Sequence, residues 1–93
     1  MSSYLVTFEL NYPGQQYDFV RSVIDGFEHR QLTESSFVIL TDHSPSVLYD
    51  LFYDGLDDND SLFIIHVDNP ADNLWYGFGD QEVHEWLEEN LDR

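Results

Sequence analysis

Apolar and polar positions alternate at the start of the chain. Tyr4, Val6, Phe8 and Leu10 interleave with Leu5, Thr7 and Glu9, which predicts a strand over 4–10. Asn11-Tyr12-Pro13-Gly14 has loop chemistry. The period then lengthens: Val20, Val23, Ile24 and Phe27 are spaced i, i+3, i+4, i+7, so a helix is expected from about Gln16 to Glu28, with Gly26 weakening its last turn. Two short strands follow, Arg30 to Thr33 and Ser36 to Thr41, with Glu34-Ser35 as the turn between them. Ser44-Pro45 supplies an N-cap and a proline at the first helical position. The helix it opens should run to about Gly55 and bury Val47, Leu48, Leu51 and Phe52, with Gly55 in left-handed geometry near its end.

Asp57-Asp58-Asn59-Asp60 reads as an acidic turn, Ser61 to Asp68 as a fourth strand, and Asn69 to Gly79 as a loop. Asp80 can cap a last helix that turns Val83, Trp86, Leu87 and Leu91 inward. The order is βαββαβ plus a C-terminal helix. It predicts an α+β, ferredoxin-like domain over 1–93, with an antiparallel sheet and two helices on one face. Strand 4 is apolar on both sides, with Leu62 and Ile64 opposing Phe63, Ile65 and Val67. Both faces are therefore expected to be covered, the second by the C-terminal aromatic segment, another subunit or a target. A homodimer or a bound partner is expected.

Length and composition narrow the picture. Ninety-three residues make one domain. Forty-two per cent apolar residues, with 7 Phe, 6 Tyr and 2 Trp, are too many for a disordered acidic tail. The chain has 19 Asp and Glu against 3 Arg and no Lys, a formal charge of −16. Such a chain is repelled by nucleic-acid phosphates and by anionic membranes, so direct binding to either is not expected. No apolar run approaches a membrane span and no basic, apolar leader opens the chain, so a cytoplasmic protein is expected. With no Cys there are no disulfides, no thiol catalysis and no Cys-ligated zinc.

Several segments together resemble a family of small proteins labelled SinR-like, and more remotely the VapD and CRISPR-adaptation nuclease superfamily. These are the first strand ending in an acidic residue, Asn11-x-Pro13-Gly14-Gln15-x-Tyr17, Ser36-Phe37-Val38, Asp58-x-Asp60, Leu62 to Val67, Trp75-x-Gly77-Phe78 and Trp86-Leu87-x-x-Asn90-Leu91. The resemblance implies a ferredoxin-like monomer that dimerises. In the nuclease members an Asp ends the first strand near its dimer mate and binds a divalent metal. Here that position is Glu9, and the basic surfaces of those members are missing.

Glu9 is thus the candidate for Mg²⁺, a cation that takes carboxylate oxygens. The Asp54–Asp60 cluster looks calcium-like but fails the EF-hand pattern. Counted from Asp57, position 6 is Leu62 rather than Gly and position 12 is Asp68 rather than Glu. His29, His43, His66 and His84 have no short ligand spacing, and His66 on its apolar strand reads as a core or interface residue. No nucleophile turn, Walker motif or dinucleotide glycine pattern occurs.

Tyr12, Tyr17, Tyr49, Tyr53, Trp75, Tyr76 and Phe78 exceed what the helical core faces need, so either Trp75–Phe78 plugs the open sheet face or the aromatics anchor a partner. On the last helix Glu82, Glu85 and Glu89 form a stripe, and Glu88 and Asp92 are four apart. Like-charge pairs at such spacings cost about 0.2–0.5 kcal/mol each, so stability alone does not select them. Three explanations compete: mimicry of nucleic-acid phosphates against a basic partner, a halophilic surface, and metal binding. An antitoxin role lies outside these three. The leading expectation is a non-catalytic inhibitor, of the anti-CRISPR or anti-restriction type, that binds a basic nucleic-acid-binding protein and needs no cofactor. Its contact residues are Asp50, Asp54, Asp57, Asp58, Asp60, Glu82, Glu85 and Glu89, with Tyr49 and Tyr53. The alternatives are a metal-dependent nuclease using Glu9 at a dimer interface and a halophile housekeeping protein.

Overall fold

The chain folds as β1 (Ser2–Glu9), α1 (Pro13–Ile24), β2 (Glu28–Thr33), β3 (Ser36–Thr41), α2 (Pro45–Tyr53), β4 (Ser61–His66) and α3 (Gln81–Leu91). The computed structural model describes residues 1–10, 13–68 and 77–91, of which 13–16 are described in backbone only. The architecture is α+β: a four-stranded sheet in the order β2-β3-β1-β4, every neighbouring pair antiparallel. In register, Leu5 faces Val38 on one side and Ile65 on the other. Among the described residues no helix is long and apolar enough to cross a membrane.

Alternation along the strands builds two cores. Tyr4, Val6 and Phe8 of β1, with Phe37 and Ile39 of β3, point to one face, where Val20 and Ile24 of α1 and Leu48 and Phe52 of α2 close over them. Val38 of β3 points to the other face, where Leu87 and Leu91 of α3 meet it, flanked by Leu5, Leu32, Val67, Val83 and Trp86. Ser3 is fully buried beneath α3, and its hydroxyl donates to the Asn90 carbonyl at 3.4 Å. Arg30 of β2 lies 5.8 Å from the Trp86 ring centroid, a cation held by an aromatic face.

The second face is only partly covered, contrary to the expectation that both would be buried. α3 packs against β2 and leaves Phe63 (63% exposed) and Ile65 (50%) of β4 in the open. One helix is too narrow to roof four strands. Phe78 does not plug the gap, being fully exposed; Trp75 and Tyr76 lie outside the described residues.

Helix boundaries differ from the sequence reading for local reasons. α1 begins at Pro13, whose missing N–H costs nothing at a helix start. It ends at Ile24, where the Gly26 and Phe27 N–H groups donate three residues back to Val23 and Ile24, and Glu28 already pairs with Leu40. In α2 the Ser44 hydroxyl accepts from the Val47 N–H at 3.3 Å, as the Ser-Pro signal implied. Only Leu48 and Phe52 of this nine-residue helix are buried; Val47 and Leu51 lie about 100° round the helix from that pair and stay over 40% exposed. Gly55 is not in left-handed geometry. It is glycine because the Phe19 ring occupies the place of a Cβ.

Candidate interaction surface

The antiparallel ladder brings four acidic segments to one end of the sheet. β1 ends there with Glu9, which faces Ser61, the first residue of β4. The β2–β3 turn adds Glu34, and the Phe8 N–H ties this turn to β1 through the Ser35 carbonyl at 2.9 Å. α2 ends at Tyr53 with Asp54 as its C-cap, and the Asp57–Asp60 turn leads into β4. That turn is closed on itself: the Asp57 N–H donates to the Asp60 carboxylate at 2.8 Å, and the Asp60 N–H donates to the Asp57 carbonyl at 3.0 Å. Asp54, Asp57 and Asp58 are exposed.

At the end of α2 the side-chain charge adds to the helix dipole instead of offsetting it. α2 has no basic residue in its last turn, so Asp50 and Asp54, four apart, sit at the negative end of the helix dipole. The two described arginines are used elsewhere. Arg21 donates to Asp25 at 3.2 Å and lies 5.4 Å from the Phe37 ring centroid; the Asp25 hydrogen bond, then that of Tyr17, raises its pKa further. Arg30 is under Trp86. Tyr49 (42% exposed) and Tyr53 (60%) form a pair 5.8 Å apart on the flank of α2, beside Asp50. These two tyrosines therefore stand on the surface, as a contact role requires. Tyr17 does not: it is half-buried against Phe8, 6.1 Å between centroids. Tyr12 and Asp92 fall outside the described residues.

Glu82, Glu85 and Glu89 are exposed on α3, but they do not extend the acidic end. α2 packs on β4 on one face of the sheet, and α3 packs on β2 on the other. The two carboxylate sets occupy diagonally opposite corners. Nothing in the sequence tells which face an appended helix takes.

Glu9 and Glu34 line one open hollow of about 550 Å³ together with Ser35, Ser61, Tyr17 and Phe63. Carboxylate and hydroxyl oxygens are hard donors of the kind Mg²⁺ accepts. Among the described residues, though, no three His, Asp or Glu side chains converge as a metal centre. The histidines are scattered. His29 Nδ1 meets the Phe27 carbonyl at 2.8 Å, His43 packs edge-on to Phe27, and His84 approaches Glu88 at 3.2 Å.

His66 is 55% exposed rather than a core residue, because it ends an edge strand. Its Nε2 is 2.7 Å from the Asp68 carboxylate, whose other oxygen accepts the Ser3 N–H at 2.8 Å. Burial pushes the Asp68 pKa up, but the Ser3 N–H and then His66 outweigh it and hold the group below its ordinary value.

Neither family models, curated proteins nor solved structures give a match to this chain.

Proposed function

We propose that the protein is a non-catalytic acidic inhibitor that docks on a basic, nucleic-acid-binding protein and competes with its nucleic acid. The observation that carries this reading is the α2–β4 corner. Exposed Asp50 and Asp54, and Asp57 and Asp58 of the turn that follows, gather at the end of the helix that carries the surface tyrosine pair, and that helix has no basic residue in its last turn. The dipole and the like-charge spacing both work against stability there, so a binding role accounts for a pattern that folding does not. Carboxylates on a rigid frame release the counterions of a basic groove as phosphates do. Tyrosines supply the contact area that charge alone lacks.

The frame itself is proposed to be ferredoxin-like, supported by two interleaved βαβ units: β1 and β2 flank β3, while β3 and β4 flank β1. Membership of the SinR-like group, a cytoplasmic location and a homodimer belong to the same proposal. Glu82, Glu85 and Glu89 would then engage a second basic region or a second copy of the partner, since they face the opposite corner.

The test is capture of partners on the immobilised chain, elution by salt, and a DNA-binding assay on the purified captured protein. Inhibition that disappears when Asp50, Asp54, Asp57 and Asp58 are all changed to Lys supports the proposal. Undiminished inhibition by that variant, or no captured nucleic-acid-binding protein, overturns it. The Glu9 and Glu34 hollow favours a second reading, a Mg²⁺- or Mn²⁺-dependent nuclease. Cleavage that survives Glu9→Ala removes it. The halophile reading requires unfolding at low salt.

A further inference from the structure

Three properties coincide on β4. First, among the described residues it is an edge: β1 is its neighbour in the sheet. The Val67 N–H donates inward to the Ser3 carbonyl at 2.9 Å. Successive N–H groups alternate sides, so those of Phe63 and Ile65 also face β1, and those of Leu62, Ile64 and His66 face outward. Second, the strand itself carries no charged, proline or bulge guard. Ser61–His66 contains no Lys, Pro, Asp or Glu, and its pairing with β1 runs from Tyr4 to Glu9 without a bulge. Third, the strand offers apolar grip. Phe63 and Ile65 stand exposed on the face that α3 leaves open.

The surrounding charge selects the occupant. The Asp57–Asp60 turn leads into β4, Glu9 faces its first residue, and Asp50 and Asp54 lie on α2, the helix packed on β4. A second copy docking by this same edge would bring its own acidic turn to it and be repelled, so a homodimer uses another face. An extended segment with alternating basic and apolar residues meets the opposite situation. Added as a fifth strand, it would place its apolar residues beside Phe63 and Ile65 and bring its basic residues into the field of the Asp57–Asp60 turn and Glu9 at the start of the edge. Resting on the acidic-partner reading of this corner, we infer that β4 binds its partner by strand addition, the added strand being an extended basic-apolar segment of that partner.

A ten-residue peptide of alternating Arg and Val is the probe, with a version N-methylated on alternate residues as its control. Amide hydrogen exchange of the intact chain is read by NMR. In the free protein the Phe63, Ile65 and Val67 amides exchange slowly and those of Leu62, Ile64 and His66 fast. With the peptide the latter three slow by about tenfold or more, and N-methylation abolishes the effect. The doubly substituted Phe63→Ser, Ile65→Thr chain, altered at exposed positions, weakens binding by about tenfold. Binding that leaves the three outward amides unprotected overturns strand addition while leaving acidic docking intact. Failure of any Arg-Val peptide to bind at low salt removes the acidic-partner reading as well. Slow exchange at the outward amides of a free chain that sediments as a dimer assigns the edge to a second copy and also overturns the inference.

Discussion

The Phe19 ring of α1 stands where a Cβ on Gly55 would have to be, so the chain just after α2 touches α1 through the absence of a side chain. Gly55→Ala is expected to destabilise the fold by about 1–3 kcal/mol, the usual range for overpacking. Phe19→Ala should remove most of that penalty. Urea melts of the two single variants and the double variant measure the coupling, and additive effects would contradict the contact.

Asp68 links the sheet at its other end, accepting from the Ser3 N–H and from His66. Its pKa is lowered in the folded chain, so its stabilising contribution is complete above the ordinary carboxylate pKa of about 3.9. That contribution fades as the pH falls through the lower folded value. Asp68→Asn is therefore expected to cost on the order of 1 kcal/mol at pH 7 and progressively less below pH 4. Chemical denaturation at pH 7, 4 and 2.5 checks the trend; a gap that widens in acid would have the wrong sign.

Glu89 offers a direct contest between stability and binding. Glu89→Lys converts the Glu85–Glu89 repulsion into an attractive i, i+4 pair and puts a cation near the C-terminal end of α3. Thermal stability at low salt should rise, by about 0.5–1 kcal/mol. Under the inhibitor proposal, affinity for a basic partner falls in the same variant. Greater stability with unchanged affinity would show that the α3 stripe is outside the contact.

Ser44 caps α2 by accepting the Val47 N–H. Ser44→Ala should cost about 1 kcal/mol, while Ser44→Asp should retain most of the stability because its carboxylate can accept the same bond. Circular dichroism melts suffice to compare them. Equal stability of the Ala and Ser chains would mean the cap contributes nothing.

The seven elements could be read from the sequence because local signals and tertiary packing agree. Alternation at Tyr4–Leu10 and the Ser44-Pro45 start are satisfied by the same residues that pack the sheet. Sequence signal and structure part where one residue answers to two causes. Gly55 suggested a left-handed cap, whereas an aromatic ring from α1 explains it, and no spacing within the chain encodes that meeting. The apolar character of Val47 and Leu51 predicts that they turn inward, yet so short a helix buries a single i, i+4 pair. The candidate surface was half legible. Carboxylates of the α2 end and the following turn do gather with Glu9, because antiparallel strands must start and stop at shared ends. The α3 glutamates were grouped with them by charge alone, and the choice of sheet face for α3 separates them.

The central position of β1 sets a timetable for synthesis. Its two neighbours are residues 36–41 and 61–66, and Ser3 is covered only when Asn90 arrives. On the ribosome the N-terminal strand therefore has no flanking partner until the β2–β3 hairpin has emerged, and no complete sheet until β4 has followed. A nascent strand as apolar as Tyr4–Phe8 would ordinarily invite misassociation during that wait. The negative charge that accumulates as the chain lengthens, −16 over the 93 residues, opposes association between neighbouring copies.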